Sequence, residues 1–322
     1  MTNKKSNILP IVVMYLLFFM IAFVTNLCNP MAVIVKNNFA MSNFAAQLGN
    51  AANFIAYAAM GIPAGMLLKK IGYRKTALVA ILIGFIGVFL QYMSGWAAIQ
   101  SFWVYLAGAF TAGFCMCMLN TVVNPMLNTL GGGGNKGNQL VQFGGVCNSL
   151  AAVLVTIIMG SLIADATKAQ IADATPALMI ALGVFAFAFL VLLLVKIPEP
   201  AQENEGDKAK DKKYSAFSFR HFNLGILAIF LYMGVEVGVP TYVMQYLTTS
   251  PDATTPGLGI NASIVGMIVA VYWLLMLVGR LLGGMIGGKV SSRAQITGVS
   301  VLCLVLVLLG MFLPTDVMVK MP

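Results

Sequence analysis

P-E-P-A-Q-E-N-E-G-D-K-A-K-D-K-K-Y, residues 198–214, is the one long polar interval in a chain of 322 residues that is otherwise 60% hydrophobic. Its mixed charge and low hydrophobicity cannot bury a core, so it is expected to stay flexible. Working outward from it, six apolar stretches precede it, roughly residues 9–34, 44–68, 76–98, 102–130, 139–163 and 176–196. Three follow, roughly 222–247, 262–288 and 294–314. Each meets the length of about 20 apolar residues that a membrane-spanning helix needs. The interval therefore divides the chain into an N-terminal unit of six spans over 1–196, a linker over 197–220 and a three-span unit over 221–322.

Composition supports the same reading. Only 9% of residues are charged and mean hydropathy is +0.90, against about 25% charged in an ordinary soluble domain. Such a chain cannot clothe a globule in ionic surface, so most of its exterior must face a lipid bilayer. A soluble enzyme is excluded. With one histidine, His221, and ten acids in no cluster with metal-ligand spacing, no metal or other cofactor is implied. The five cysteines, Cys28, Cys115, Cys117, Cys147 and Cys303, lie inside apolar runs, where a thiol behaves as a small hydrophobe.

The formal net charge of +9 would suggest nucleic acid until the basic residues are placed. Of the 19 lysines and arginines, fifteen fall in gaps on one side of the alternating spans, from Lys4 and Lys5 through Lys69, Lys70, Arg74 and the linker lysines to Lys289 and Arg293. Lys36, Lys168 and Lys320 fall on the other side, and Arg280 lies within the eighth span. This bias puts the N-terminus and the linker in the cytoplasm. It marks topology, not a nucleic-acid surface. The first apolar run is too long for a signal peptide and lacks a small-residue cleavage site, so it is read as an uncleaved span.

Residues Pro63 to Lys75 read P-A-G-M-L-L-K-K-I-G-Y-R-K. They resemble the loop motif of the major facilitator superfamily at Gly65, Leu67, Lys70, Gly72 and Arg74, with Lys69 where many members have Asp. Lys-Lys at this point is similar to the fucose/glucose/galactose:cation symporter branch. So are T-N-L-C-N-P around Asn29, L-N-T-V-V-N-P-M-L-N-T-L-G from Leu119 to Gly131, C-N-S at Cys147 to Ser149, and the seventh span from His221. The resemblance implies an all-α membrane protein of the major facilitator fold, with a six-helix N-terminal bundle and three helices of an incomplete C-terminal bundle. On that plan a further three helices, about 100 residues, are expected beyond Pro322; a complete nine-span protein is the alternative. It also implies a bacterial inner-membrane sugar carrier and gating or structural roles for Gly65, Lys70, Gly72 and Arg74. Fucose/proton-type members carry acids where this chain has Asn29 and Asn120, and an amide takes up no proton near neutral pH. The proton route of those members is therefore not transferable at either position.

The residues themselves propose a site. Asn120, Asn124 and Asn128 recur every four residues and line one face of the fourth span. Asn26 and Asn29 pair on the first span, Asn50 and Asn53 share a broader face of the second with Gln47 and Tyr57, and Gln142 and Asn148 lie on the fifth. Carboxamides both give and accept hydrogen bonds without charge, which suits a neutral polyol. The competing reading is that such amides stitch helices together. Glu236 is the sole acid in the middle of a span, a placement costing about 2.5–3.5 kcal/mol on insertion scales. It is a candidate for coupling to a proton or sodium, for accepting sugar hydroxyls, or for a neutral structural role. Tyr232, Tyr272 and Trp273 offer faces on which a sugar ring could stack.

Arg280 is assigned a structural or gating role, with snorkelling toward the cytoplasm open to it. An anion carrier would want a second buried arginine in the second span, and none occurs. Gly279, Gly283 and Gly287 repeat every four residues, as do Gly284 and Gly288, giving a smooth face for helix approach. Gly131 to Gly134, followed by Asn135 and Lys136, lack the Gly-Lys-Ser/Thr ending of a phosphate loop and follow a membrane helix, so they are expected to form a turn. Together these features point to a carrier of a neutral hexose-like sugar, coupled to a cation. The alternatives are a transport-inactive membrane sensor or assembly partner and an efflux carrier, though the fifth span lacks the Gly-Pro pattern of antiporters.

Overall fold

A computed structural model describes residues 8–162, 170–195, 197–199, 216–248 and 257–312. Long apolar runs without interruption leave the backbone no partner but itself in lipid, so each forms a helix. In chain order these are α1 (Ile8–Asn38), α2 (Asn43–Ile71), α3 (Tyr73–Met93), α4 (Phe102–Leu130), α5 (Gly134–Leu162), α6 (Thr175–Leu194), α7 (Arg220–Thr248), α8 (Ala262–Gly287) and α9 (Ser292–Phe312). All nine are long and apolar enough to cross a membrane. The helices match the expected spans, but several start earlier, because polar residues next to an apolar run can continue a helix beyond the hydrocarbon region. α5 gains five residues this way, starting at Gly134 rather than near 139. α3 ends at Met93, where a turn begins at Ser94.

Within the first six helices, α4 packs against α3, α2, α1 and α5, while α6 lies on α3 and α1. Methionine is prominent in the core: Met14, Leu17, Met20 and Met31 of α1 share one buried cluster with Met116, Met118, Leu119 and Met126 of α4. Methionine fills irregular gaps without demanding one rotamer. Glycine brings α3 and α4 into backbone contact. A Cβ on Gly87 would lie 2.7 Å from the amide nitrogen of Ala112, and one on Gly108 would lie 2.7 Å from the carbonyl oxygen of Gly87. Neither position has space for a methyl group.

The last three helices are arranged differently. α8 packs along α5 and touches α7, and α9 makes only a slight contact with α8. Pro240 is the sole buried residue described in α7. The two groups of helices therefore meet chiefly along one seam, α5 against α8.

Between α2 and α3, Gly72 takes φ +83, a conformation that favours glycine. The turn is fixed from a distance by the end of α6. The Glu199 carboxylate accepts from the backbone amides of Tyr73 at 2.8 Å and Arg74 at 3.0 Å, which are unpaired donors at the start of α3. In return Arg74 donates to the carbonyls of Leu192 at 3.1 Å and Leu193 at 2.7 Å, at the end of α6. An anion at a helix start and a cation at a helix end both oppose the local partial charge. Glu199 was expected to belong to a flexible linker; it is anchored. Residues 200–215 of that expected linker lie outside the described residues, while Ala216–Ser218 form a short 3-10 turn and Arg220 already begins α7.

Candidate functional site

On α4, Asn120 donates from Nδ2 to the Met116 carbonyl at 3.2 Å, and Asn124 donates to the Asn120 carbonyl at 3.0 Å and to its Oδ1 at 3.3 Å. Asn26 of α1 likewise donates to the Ala22 carbonyl at 2.8 Å. Each donor returns to the preceding turn of its own helix, a local pattern open to short polar side chains. These amides are half-buried and these bonds do not stitch one helix to another. A side-chain hydrogen bond also links Asn120 to Tyr57 of α2.

The other expected site residues divide. Asn53 is buried and donates to Cys28 Sγ at 3.0 Å, joining α2 to α1. Asn50 donates to Gln47 Oε1 at 2.6 Å, one turn away on its own helix. Asn148 is half-buried on α5. The side chain of Asn29 lies outside the described residues. Gln142 stands in the α5–α8 seam, where its Nε2 donates to Gln295 Oε1 of α9 at 3.2 Å. Its own Oε1 is buried and accepts no hydrogen bond from an N–H or O–H group among the described residues. A Cβ on Gly283 or Gly287 would sit 3.2 or 3.3 Å from that oxygen. The Cα hydrogens in those places point toward it, a weak but recurrent contact.

The seam has more of the same. Gln139 donates to the Gly284 carbonyl at 2.9 Å, and Asn138 links Asn128 of α4 to Ser292 of α9, receiving from the first at 3.0 Å and donating to the second at 3.1 Å. Phe143 covers Gly284. Asn138, Gln139 and Gln295 were not among the expected functional residues. The four-residue glycine repeat on α8 was the sequence signal for this seam, but it says nothing of which helix lies opposite.

Between α7 and α8 lies a charged cluster. Arg280 donates to Glu236 Oε1 at 2.9 Å, and the two side chains are 24% and 12% exposed, so both are largely withdrawn from solvent. The same guanidinium donates to the Tyr232 hydroxyl at 3.3 Å and to the backbone carbonyl of Gly145, on α5, at 3.1 Å. Tyr272 donates to the Glu236 carbonyl at 3.2 Å and stands edge-on to Trp273 with ring centroids 5.3 Å apart. Glu236, Tyr232, Tyr272, Trp273 and Arg280 thus come together as one group. Arg280 is held in that group and does not snorkel to the helix end. Gly145 is part of the arrangement because a Cβ there would lie 3.1 Å from Arg280 Cδ.

Among the described residues, nine apolar helices with polar faces at mid-length and a largely buried ion pair have the make-up of a multi-pass membrane protein. Residues 14–320 match the model of the Major Facilitator Superfamily, and the chain belongs to that family. It is 29% identical over 288 residues, 88% of its own length and 68% of the relative's, to a glucose/galactose transporter of Brucella abortus. It is 23% identical to the L-fucose-proton symporter of Escherichia coli, over 96% of this chain and 74% of that one. In shape it is similar to a crystal structure of a major facilitator transporter, FucP, in the outward conformation, with TM-score 0.71, 22% identity, and coverage of 89% of this chain and 73% of that chain.

Proposed function

We propose that the protein is a secondary transporter that imports a neutral hexose-like sugar by alternating access, coupled to a proton or sodium ion. The fold brings two helix groups together along a polar seam, and in transporters of this plan the solute is held near mid-membrane between the two groups. The lysine-rich end carrying the α2–α3 turn, the start of α5 and the end of α8 faces the cytoplasm on the positive-inside argument. The N-terminus lies on that side, and the membrane is the inner membrane of a bacterium. Relatives named for glucose, galactose and fucose support the sugar class.

The observation that carries the reading is the bonding of the amides. Asn26 and Asn124 return their donors to their own helices, so their polar faces are not explained by helix stitching; Asn120 makes the same return and in addition meets Tyr57 of α2. With Asn29, Asn50, Asn53, Gln142 and Asn148 they form the proposed hydrogen-bonding wall for sugar hydroxyls. Tyr232, Tyr272 and Trp273 supply the opposing aromatic edge. The Glu236–Arg280 pair nets to no charge, which suits a neutral solute over a sugar acid. Glu236 is the proposed coupling group. Gly65, Lys70, Gly72 and Arg74, with Arg280, have the proposed gating or structural roles.

The test is counterflow of labelled glucose, galactose and fucose in liposomes holding the complete protein, with and without imposed proton and sodium gradients. Exchange of at least one hexose, accumulation driven by one gradient, and loss of that accumulation in Glu236→Gln are expected. Exchange that ignores both gradients and that substitution would reduce the protein to facilitated diffusion. Absence of exchange for every sugar would end the carrier proposal.

A further inference from the structure

We infer that Arg280 is a positioning residue that carries proton capture at Glu236 to the α5–α8 seam: protonation of Glu236 releases the guanidinium from Gly145 and so unlatches the two helix groups. The inference deepens the proposed coupling role of Glu236 and rests on it. Arg280 holds three partners at once, and they lie on two sides of the seam. Glu236 and Tyr232 belong to α7, whereas the Gly145 carbonyl belongs to α5. A guanidinium with several donors in a fixed plane can make such a bracket, which a compact ammonium cannot reproduce. Gly145 admits it, since any Cβ there would crowd the arginine stem.

The bracket depends on charge. A largely buried cation keeps its place only beside a counter-charge, and among the described residues facing this cluster Glu236 is the one that supplies it. The titratable groups around Glu236 are Arg280 and Tyr272 on α8 and Tyr232 on α7, while α5 contributes a carbonyl. When a proton from the open side adds to a carboxylate oxygen of Glu236, the carboxylate becomes a neutral acid and the guanidinium keeps its own proton and charge. Arg280 is then uncompensated at that depth. The end of α8 at Gly287 is about 10 Å away along the helix axis, toward which a long side chain can extend its head. Leaving in that direction gives up the Gly145 carbonyl. The seam then rests on neutral amides at Gln139 and Gln142, each held over glycine. Release of the proton on the newly opened side restores the carboxylate, the ion pair and the bracket.

The proton fits this role better than sodium. A sodium ion needs several oxygen ligands and would have to share a carboxylate with a guanidinium 2.9 Å away. A proton needs one lone pair.

The test places spin labels at Lys136→Cys, near the start of α5, and Lys289→Cys, just after α8, with Cys147 and Cys303 replaced by serine, and measures their separation in the complete protein without sugar. In the parent, acidification should shift the ratio of long to short separations by roughly tenfold, the effect of losing one charge-assisted hydrogen bond. Glu236→Gln should give the long separation at every pH. Gly145→Ala should favour it at alkaline pH. Glu236→Gln with Arg280→Gln, which leaves no orphaned charge and so guards against misfolding of a single variant, should be insensitive to pH. A parent whose separation ignores pH, a Glu236→Gln protein that matches the alkaline parent, or opening by sodium without any response to acid would each overturn the inference. Because no sugar is needed, a pH-dependent separation without hexose exchange would discard the sugar reading and leave the latch standing.

Discussion

Glycine serves both the α3–α4 contact and the α5–α8 seam, yet what lies opposite it differs. Across α3 and α4, a methyl on Gly87 or Gly108 would strike backbone atoms at 2.7 Å. Across the seam, a methyl on Gly283, Gly287 or Gly288 would meet the amide ends of Gln142 or Gln139 at 3.2 to 3.3 Å. Backbone cannot step aside, whereas a glutamine head can turn away. The first contact locks two helices into one body. The second lets two bodies touch closely through polar side-chain ends, the kind of contact that the proposed alternation between two openings would need to break and remake.

The largest effect should come from filling the locked contact. Gly108→Ala, overpacked against backbone, should cost about 1–3 kcal/mol, seen as a marked fall in the thermal midpoint in detergent. A midpoint equal to the parent's would show that the α3–α4 contact yields as the seam does. Next comes the amide wall. Asn120→Ala removes groups available to a hydroxyl, so sugar binding should weaken by about tenfold for one lost hydrogen bond. The thermal midpoint should fall only slightly, because the amide's backbone bond is made within its own helix and its contact across helices is the single one to Tyr57. A large stability loss with unchanged sugar affinity would return Asn120 to a structural role.

Glu199→Gln follows. It retains an acceptor at the start of α3 but loses the charge, so a cost of about 0.5–1 kcal/mol is expected, diminishing in high salt. Calorimetry at two ionic strengths would check it. Gly283→Ala should have the smallest effect on stability, a few tenths of a kcal/mol, because its neighbour is the mobile end of a side chain. Its signature should lie elsewhere, in a larger fraction of molecules with the seam open. Equal losses of stability in Gly283→Ala and Gly108→Ala would erase the distinction between the two contacts.

Much of this was legible in the chain before any coordinates. The bounds expected for α4, 102–130, coincide with the helix because a polar turn and a glycine run flank an unbroken apolar stretch. The apolar runs predicted nine spans, and nine helices of sufficient length and apolarity are found among the described residues. The four-residue recurrence of Asn120, Asn124 and Asn128 predicted a common face, since helical periodicity is local. Partner identity was not legible. Gln142 was legible as an amide on the polar face of α5, but its partners on α8 and α9 were not, since only the packing of α5 decides which neighbours it meets. Arg280 was ambiguous for the same reason, with Glu236 lying 44 positions away in sequence. Glu199 was hidden by its setting, as one carboxylate among many charges just past a span.

The reciprocal contacts of Arg74 and Glu199 tie the exit of α6 to the entry of α3. Any tug that the later helices exert through the connecting chain arrives first at this knot, before it can unwind the last turn of α6. Force is thereby spread over two helices already clamped to α4 and its neighbours, so the edge of the first bundle is not drawn out turn by turn.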